Sequence, residues 1–448
     1  MYTDRERVVV AKFGGTSVIK YPEKIREITE ATDAKRKFLV VSAPGKKTDD
    51  DAKLTDILFR IADTTTNHDE AAEQIMKKCS AVGIEFDREE IARVIYEYLR
   101  SKETLTPNQY RAHMASLGEH LSALMYAQYL NATYLDPKTF FVLDVEEDNS
   151  KAKLNFAATI EKWNALEPTL KDERYIIPGY YGANADGHTA LFTRGGSDLT
   201  GAYLAYLTDA DVYENFTDSP ILAADPDYVA NAHQLETVTF KELRDLTYSG
   251  FNILHQDVVN PLAEKEIPIE IRGTAEFPKR GTIVTNERTI RESIIGVAYS
   301  NGFVPINIYM PGLHEINFAL ADILNILREL NLPIEHVSTG IDDDSIIIRK
   351  ELMQPDSLEK LRALLVKRFG EKIEVTTHED LDLGLLTVVG EGMRRNVGIS
   401  GQIQRALAEV GVNIYAIDQS ITERNIVYCI ENNQSEKAVR AIYETFME

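Results

Sequence analysis

Apolar positions along this chain come first in short continuous runs. Residues 8–11 (VVVA) form one run, closed by Gly14-Gly15, and residues 38–41 (FLVV) form the next, with a charged, helix-length stretch at 22–36 between them. A strand, a crossover helix and a second strand fit that order. Further strand-like runs stand at 175–177, 212–216 and 267–271, separated by polar turns or helix-length segments. Continuous apolar strands alternating with helices predict an α/β architecture, a mainly parallel sheet covered by helices on both faces. A helix-rich stretch fills residues 52–130, where Leu117, Leu121, Leu124, Met125 and Ala132 follow helical spacing. Glu119 lies about 200° round that helix from Leu117, so it is expected to face solvent or a cleft instead of the core.

Beyond residue 290 the texture becomes an internal repeat with a period of about 80 residues. Ala319, Ile323, Ile326, Leu327, Leu330, Leu332, Ile334 and Ile346 are matched by Ile399, Ile403, Ala406, Leu407, Val410, Val412, Ile414 and Ile426. In each copy the pattern reads strand, helix, strand, turn, strand, helix. Val304, Ile306, Ile308 and Met310 alternate, the helix follows, and strands are expected at 333–337 and 345–349. Two split βαβ units of ferredoxin-like type are predicted. Small open sheets of this kind leave edges to be paired, which suits dimerisation, and their interfaces can hold a small ligand.

Composition narrows the function classes. At about 150 residues per domain, 448 residues allow roughly three domains. The 49 Lys plus Arg against 71 Asp plus Glu leave a net charge of −22 and a pI near 4.9. Such a surface repels polyanions and excludes nucleic acid and anionic membrane as partners. With 44% hydrophobic and 27% charged residues, a chain disordered throughout is also excluded. Residues 1–7 (MYTDRER) are charged where a signal peptide is apolar, and no run of about 18 apolar residues occurs, so the protein is expected in the cytoplasm. Cys79 and Cys429 form no CxxC, and the nine histidines show no ligand spacing. The cysteines are therefore predicted reduced and buried, and no protein-held transition metal is expected.

Three polar clusters stand at predicted strand ends. Lys12-Phe13-Gly14-Gly15-Thr16-Ser17 follows the first strand and precedes the first helix, where backbone N–H groups can hold phosphate oxygens and Lys12 can neutralise charge on a transferring phosphoryl group. It is neither GxxxxGK[ST] nor GxGxxG, so the P-loop and Rossmann readings fail. Arg194-Gly195-Gly196-Ser197-Asp198 precedes a helical segment at 200–207, and pairs a guanidinium suited to a carboxylate with an acid that is either a ligand for an ammonium group or a helix cap. Thr217-Asp218 ends the strand at 212–216, and a loop containing Asp225-Pro226 follows. Ligands bind open α/β sheets at such strand ends, so the clusters favour one cleft.

These motifs resemble the aspartokinases, members of the amino acid kinase family, over essentially the whole chain. The resemblance rests on KFGGTS at 12–17, VSA at 41–43, SLGE at 116–119, FTRGGSD at 192–198, Thr217-Asp218, Asp225-Pro226, ILH at 253–255 and the tandem ACT-like repeats. It implies an amino acid kinase domain at 1–288, a first ACT domain at 303–378, and a second built from 291–300 and 384–448. It further implies phosphoryl transfer from ATP, with Mg2+ held mainly by the nucleotide, to the side-chain carboxylate of L-aspartate, the entry to lysine, threonine and methionine. Lys12 would stabilise the transferring group, with Asp198 beside it, while Gly14, Gly15, Thr16, Ser17, Thr217, Asp218 and Asp225 would meet the nucleotide. Arg194 would grip a substrate carboxylate, Glu119 and Asp198 the ammonium, and Ser42 with Thr55, preferred over Thr48, would line the pocket. Met310, Gly312, Leu313, Ser338 and Asp342 would contact an effector, lysine or threonine. A monofunctional homodimer or dimer of dimers, without a fused dehydrogenase, is expected.

The chain departs from the family pattern at the nucleotide. Asp227 stands where an arginine is frequent, Asn252 where a lysine is frequent, Gln256 replaces a proline, and the loop at 219–224 lacks a glycine and is one residue short. Lys241, Arg244 or Lys265 could compensate. The rival readings are an amino-acid sensor with a degenerate kinase domain, and a kinase acting on a different carboxylate. The acidic runs at 49–51 and 342–344 are expected to be polar loops.

Overall fold

The computed structural model describes residues 8–146, 148–193, 195–218, 220–251, 254, 256–377 and 381–447, with the Gln256 side chain left aside. The chain divides into two compact units. Met1–Ile221, Gln234–Leu243 and Asn252–Arg288 form the first, and Leu222–His233, Arg244–Phe251 and Thr289–Glu448 the second.

In the first unit the strands are β1 (Val9–Phe13), β2 (Arg36–Val41), β3 (Thr133–Tyr134), β6 (Tyr175–Pro178), β9 (Val212–Thr217), β10 (Thr237–Thr239), β11 (Ile269–Gly273) and β12 (Thr282–Thr285), with two small ribbons, β4 (Leu143–Asp144) with β5 (Lys153–Leu154) and β7 (Tyr181–Ala183) with β8 (Thr189–Leu191). The eight form one sheet in the order β10-β12-β11-β9-β1-β2-β6-β3. Only β11 and β12 run antiparallel. All five residues of β1 are buried, as a strand covered on both faces requires. Ala11 and Phe13 turn to the core built with helices Pro22–Glu30, Leu54–Asp63, His68–Ser80, Arg88–Arg100 and Pro107–Tyr129. Lys12 points to the other face, where helix Gly196–Leu207 crosses the sheet. The charged stretch expected to be helical at 22–36 is helical only to Glu30, because Arg36 already belongs to β2.

The second unit is built on β13 (Gly296–Tyr309), a single 14-residue strand shared by both repeats. Its first half pairs with β17 (Leu383–Val389), its second half with β15 (Asp343–Arg349) and β16 (Glu374–Thr377). The sheet runs β14 (Ile334–Thr339), β15, β13, β17, β19 (Asn425–Glu431), β18 (Ala416–Gln419). Each repeat therefore has four antiparallel strands backed by two helices, Ala319–Glu329 and Ser357–Phe369 in one, Ile399–Glu409 and Ser435–Phe446 in the other. That is the ferredoxin-like arrangement the periodicity predicts. The helices Ala319–Glu329 and Ile399–Glu409 keep the 80-residue offset, but β15 and β19 do not. His336 opposes Ile347 as Ala416 opposes Cys429, so Ile347 corresponds to Cys429 at an offset of 82. The pairing of Ile346 with Ile426 is thus corrected: Ile346 corresponds to Tyr428, because the second hairpin loop is two residues longer. The segments Leu222–His233 and Arg244–Phe251 are anchored within this unit by Val297 N–H to Ala223 O (2.9 Å), His233 N–H to Tyr443 Oη (2.9 Å) and the Arg424–Asp245 ion pair (2.5 Å).

Candidate active site

Four parallel strands of the first unit end side by side, and the backbone beyond them stays zipped. Gly14 N–H donates to Phe216 O (3.1 Å), Ser42 N–H to Phe13 O (3.2 Å), Gly179 N–H to Val41 O (3.0 Å) and Gly45 N–H to Gly15 O (2.9 Å). The loops after β1, β2, β6 and β9 thus form one rim. A Cβ on Gly15 would lie 2.7 Å from Ala43 O, and one on Gly45 2.7 Å from Gly15 C. These glycines serve the contact between two loops. Gly14 instead lies beside the Lys12 ammonium, which a Cβ there would meet at 3.7 Å.

On this rim Lys12 Nζ pairs with Asp198 Oδ1 at 2.6 Å, with side chains only 9% and 20% exposed. Asp198 is the third residue of its helix, whose N-cap is Gly195 in the left-handed region at φ 77°, so the capping reading of Asp198 is set aside. Asn215, opposite Lys12 in the β1–β9 register, completes a triangle that the sequence reading missed. Its Nδ2 donates to Asp198 Oδ1 (2.8 Å) and its Oδ1 accepts from Lys12 Nζ (3.4 Å). A Glu-Asn pair inside a strand-like run whose residues are otherwise mostly apolar was the available signal.

Glu119 is buried at 5% exposure, which overturns the solvated reading and leaves the cleft. Its Oε2 has no hydrogen-bond partner among the described residues. Burial pushes its carboxyl up to about 8, against a smaller downward pull from the Ala43 and Glu119 backbone amides. The helix that carries it touches the β2 loop at Gly118, where a Cβ would stand 2.7 Å from Ala43 Cβ. Leu54 N–H donates to Pro44 O (3.1 Å), tying the next helix to the same loop with half-buried Thr55 at its second position, while Thr48 is exposed. Ser42 is half-buried, and Ser17 turns its hydroxyl to Thr274 Oγ1 at 2.7 Å. Thr16 is half-buried, as is Thr217, whose carbonyl accepts from Thr274 N–H (2.9 Å), and Asp218 is exposed.

The remaining predicted residues lie elsewhere. Arg194, Asn252, Ile253 and His255 fall outside the described residues. Asp225 belongs to the second unit, where its Oδ1 accepts from Asp227 N–H (2.9 Å). Lys265 cannot stand in for a missing nucleotide cation. It bonds Tyr206 O (2.8 Å) and Asp209 at the C-terminal end of the helix whose N-terminal turn carries Asp198. Of the acidic runs, Asp51 is not merely solvated, since it pairs with buried Lys78 (2.5 Å). In the second unit Met310 N–H donates to Asp342 O (2.8 Å) and Gly312 N–H to Asp342 Oδ1 (2.6 Å), which joins Met310, Gly312, Leu313 and Asp342 in one turn. Gly312 has φ 76°, which favours glycine. Ser338 lies apart, on β14, facing a cavity between the repeats.

Residues 7–273 match the amino acid kinase family and residues 386–446 the ACT domain. Over 98% of its length the chain is 32% identical to aspartokinase 3 of Bacillus subtilis (strain 168), of which it covers 98%. Its structure is similar to the crystal structure of Clostridium acetobutylicum aspartate kinase, with TM-score 0.85 and 30% identity over 98% of this chain and 100% of that one. Escherichia coli aspartokinase III, solved in complex with aspartate and ADP, shares the fold at TM-score 0.78 and 22% identity, over 98% of this chain and 100% of that one.

Proposed function

Because the chain belongs to the amino acid kinase family and is an aspartate kinase with ACT domains, we propose that it transfers the γ-phosphoryl group of MgATP to the β-carboxylate of L-aspartate. The product is 4-phospho-L-aspartate, the first intermediate towards lysine, threonine and methionine. The enzyme works in the cytoplasm as a homodimer or dimer of dimers held by its ACT units, with lysine or threonine as effector at the Met310–Asp342 turn.

The Lys12–Asp198–Asn215 triangle beside Gly14 is the observation that carries this reading. A substrate carboxylate is its own nucleophile at neutral pH, so catalysis needs position and charge stabilisation more than a base. The carboxylate oxygen forms a bond to the γ-phosphorus while the bond to the β-phosphate oxygen breaks, and ADP leaves with that electron pair. Lys12, aimed by Asp198 and Asn215, offsets the charge on the equatorial oxygens. Gly14, Gly15 and Thr16 offer backbone to the phosphates, and Thr217 with Asp218 flank the nucleotide. A magnesium ion would be held mainly by the nucleotide itself. Bound there it would neutralise phosphate charge.

Glu119 supplies the partner for the substrate ammonium. Its Oε2, without a hydrogen-bond partner among the described residues, and its raised carboxyl mark a group suited to an incoming cation. Arg194 holds the α-carboxylate, and Ser42 with Thr55 closes the pocket. Acyl phosphate trapped with hydroxylamine, at several ATP concentrations, tests the proposal. Turnover dependent on MgATP and L-aspartate, with a high KM for ATP because Asp227 and Asn252 replace cations, is expected. Absence of turnover alongside measurable aspartate binding overturns it in favour of an amino-acid sensor.

A further inference from the structure

The two ferredoxin-like repeats turn the uncovered faces of their sheets towards each other. Ile306, Ile308, Ile346 and Ile348 point to the helices of the first repeat, so their neighbours Pro305, Asn307, Ser345 and Ile347 point the other way. Near β13 and β17 these faces meet in a small buried cluster of Phe303, Ile347, Leu383, Leu385 and Cys429. Towards the outer strands they part. The residues of β14 and β18 are only partly buried or exposed, and a cavity of about 500 Å³ lies between them. That volume is in the range of small-molecule sites, roughly 300–1,000 Å³.

The cavity sits on the pseudo-twofold relation between the repeats. Pro305 corresponds to Leu385, His336 to Ala416, Ser338 to Asp418 and Ile347 to Cys429, and all eight line it. The chemistry breaks this symmetry. One side offers His336 and Ser338 where the other offers Ala416 and Asp418. His336 Nδ1 meets Asp418 Oδ2 at 2.9 Å across the opening. Ser345 Oγ donates to Asn307 Oδ1 (3.0 Å) on the wall. Among the described residues no lysine or arginine lines the space, and Asp418 is its acidic group.

We propose that this cavity between the repeats is a binding site for a small amphipathic amine, its apolar body on the Ile347–Leu385–Cys429 floor and its ammonium on Asp418. Charge decides the class. A carboxylate of the same size would meet Asp418 with no lysine or arginine among the described lining residues to hold it, on a protein of net charge −22. An amine takes the place of His336 as the partner of Asp418. The site is separate from the kinase cleft, and it is also separate from the Met310–Asp342 turn.

The test uses the full-length enzyme with saturating L-aspartate and ADP, so that the kinase cleft is filled without turnover. Binding of 2-phenylethylamine and of 3-phenylpropionate is followed by calorimetry and by the unfolding midpoint. The amine is expected to bind and the carboxylate not to. Asp418→Asn, at a largely exposed side chain, should weaken the amine at least tenfold, about the share of one charged hydrogen bond. Ala416→Leu, which fills the cavity, should abolish binding while the unliganded midpoint shows the variant folded. Equal binding of both compounds, amine binding untouched by either substitution, or no amine binding up to about 10 mM in the unaltered enzyme overturns the proposal.

Discussion

Glu214 and Asn215 are neighbours on β9, point to opposite faces of the sheet, and each enters a buried polar cluster. The clusters differ in how open they are to solvent. Glu214 accepts from Arg36 Nε (2.6 Å) and Nη2 (2.9 Å) and from Arg272 Nη1 (3.3 Å), and Arg36 also holds Ile28 O and Asp33. Arg36 at 0% and Glu214 at 3% side-chain exposure are shut away from solvent, while Asp33 at the edge of the network is half exposed. Asn215 joins a lysine and an aspartate that remain partly open at the strand ends. A buried ion-pair network holds a fold together, whereas a partly open one at the strand ends is poised for a substrate.

The sharpest way to break this contrast is to remove one charge from each side. Lys12→Ala is expected to lower kcat by roughly 10²- to 10³-fold, the usual cost of one donor to a developing negative charge, with the aspartate KM little changed. Steady-state kinetics that showed a KM effect alone would remove Lys12 from the transition state. Glu214→Ala should remove the buried carboxylate shared by two guanidinium groups and cost about 3–5 kcal/mol of stability in urea unfolding, while the folded fraction keeps its turnover per site. Loss of activity without loss of stability would show that the closed network also serves chemistry.

Asn215→Leu tests a positioning residue, since Asn215 acts through Lys12 and Asp198. A kcat decrease of roughly ten- to hundredfold is expected from one buried amide, with both KM values retained. An unfolding midpoint that falls while kcat stays constant would assign Asn215 to the fold alone.

Glu119 gives the smallest effect and the most specific one. Its folded carboxyl titrates near 8, above the unfolded value of 4.5, so the folded state holds an extra proton between those limits. Stability of the free enzyme should therefore fall as pH rises through that window and level off above it. Aspartate binding at pH 7 should ionise Glu119 and release close to one proton, read by calorimetry in buffers of different ionisation enthalpy. Glu119→Gln should abolish that release and flatten the stability slope; an unchanged proton count would place the ammonium elsewhere.

Much of this was legible in the chain. The apolar runs at β1, β2, β6 and β9 announced a parallel sheet, and KFGGTS with RGGSD marked two of its rim loops. Glu119 was legible only in part. Its angle round the helix separated it from the Leu117 face but could not tell solvent from a buried cleft, because that depends on the Ala43 loop packed against Gly118. Asp198 was open between cap and ligand until Lys12 lay 2.6 Å away. The repeat was visible in the helices and misaligned by two residues in one strand, since a hairpin loop lengthens without disturbing the apolar alternation on either side.

By itself the sequence determined where strands and helices form, that two similar units follow the first, and which motifs carry lysine, glycine and carboxylates. Local periodicity and turn chemistry act over a few residues, so they can be read in order along the chain. Only the tertiary structure decided that Asn215 bridges Lys12 and Asp198, that Lys265 is engaged at the far end of its neighbouring helix, and that the repeats enclose a cavity with one acidic group. Those facts depend on side chains 17, 56 and 203 positions apart in sequence being brought within hydrogen-bond reach. Hydrogen bonds and ion pairs act through distances of a few ångströms, and packing alone sets those distances.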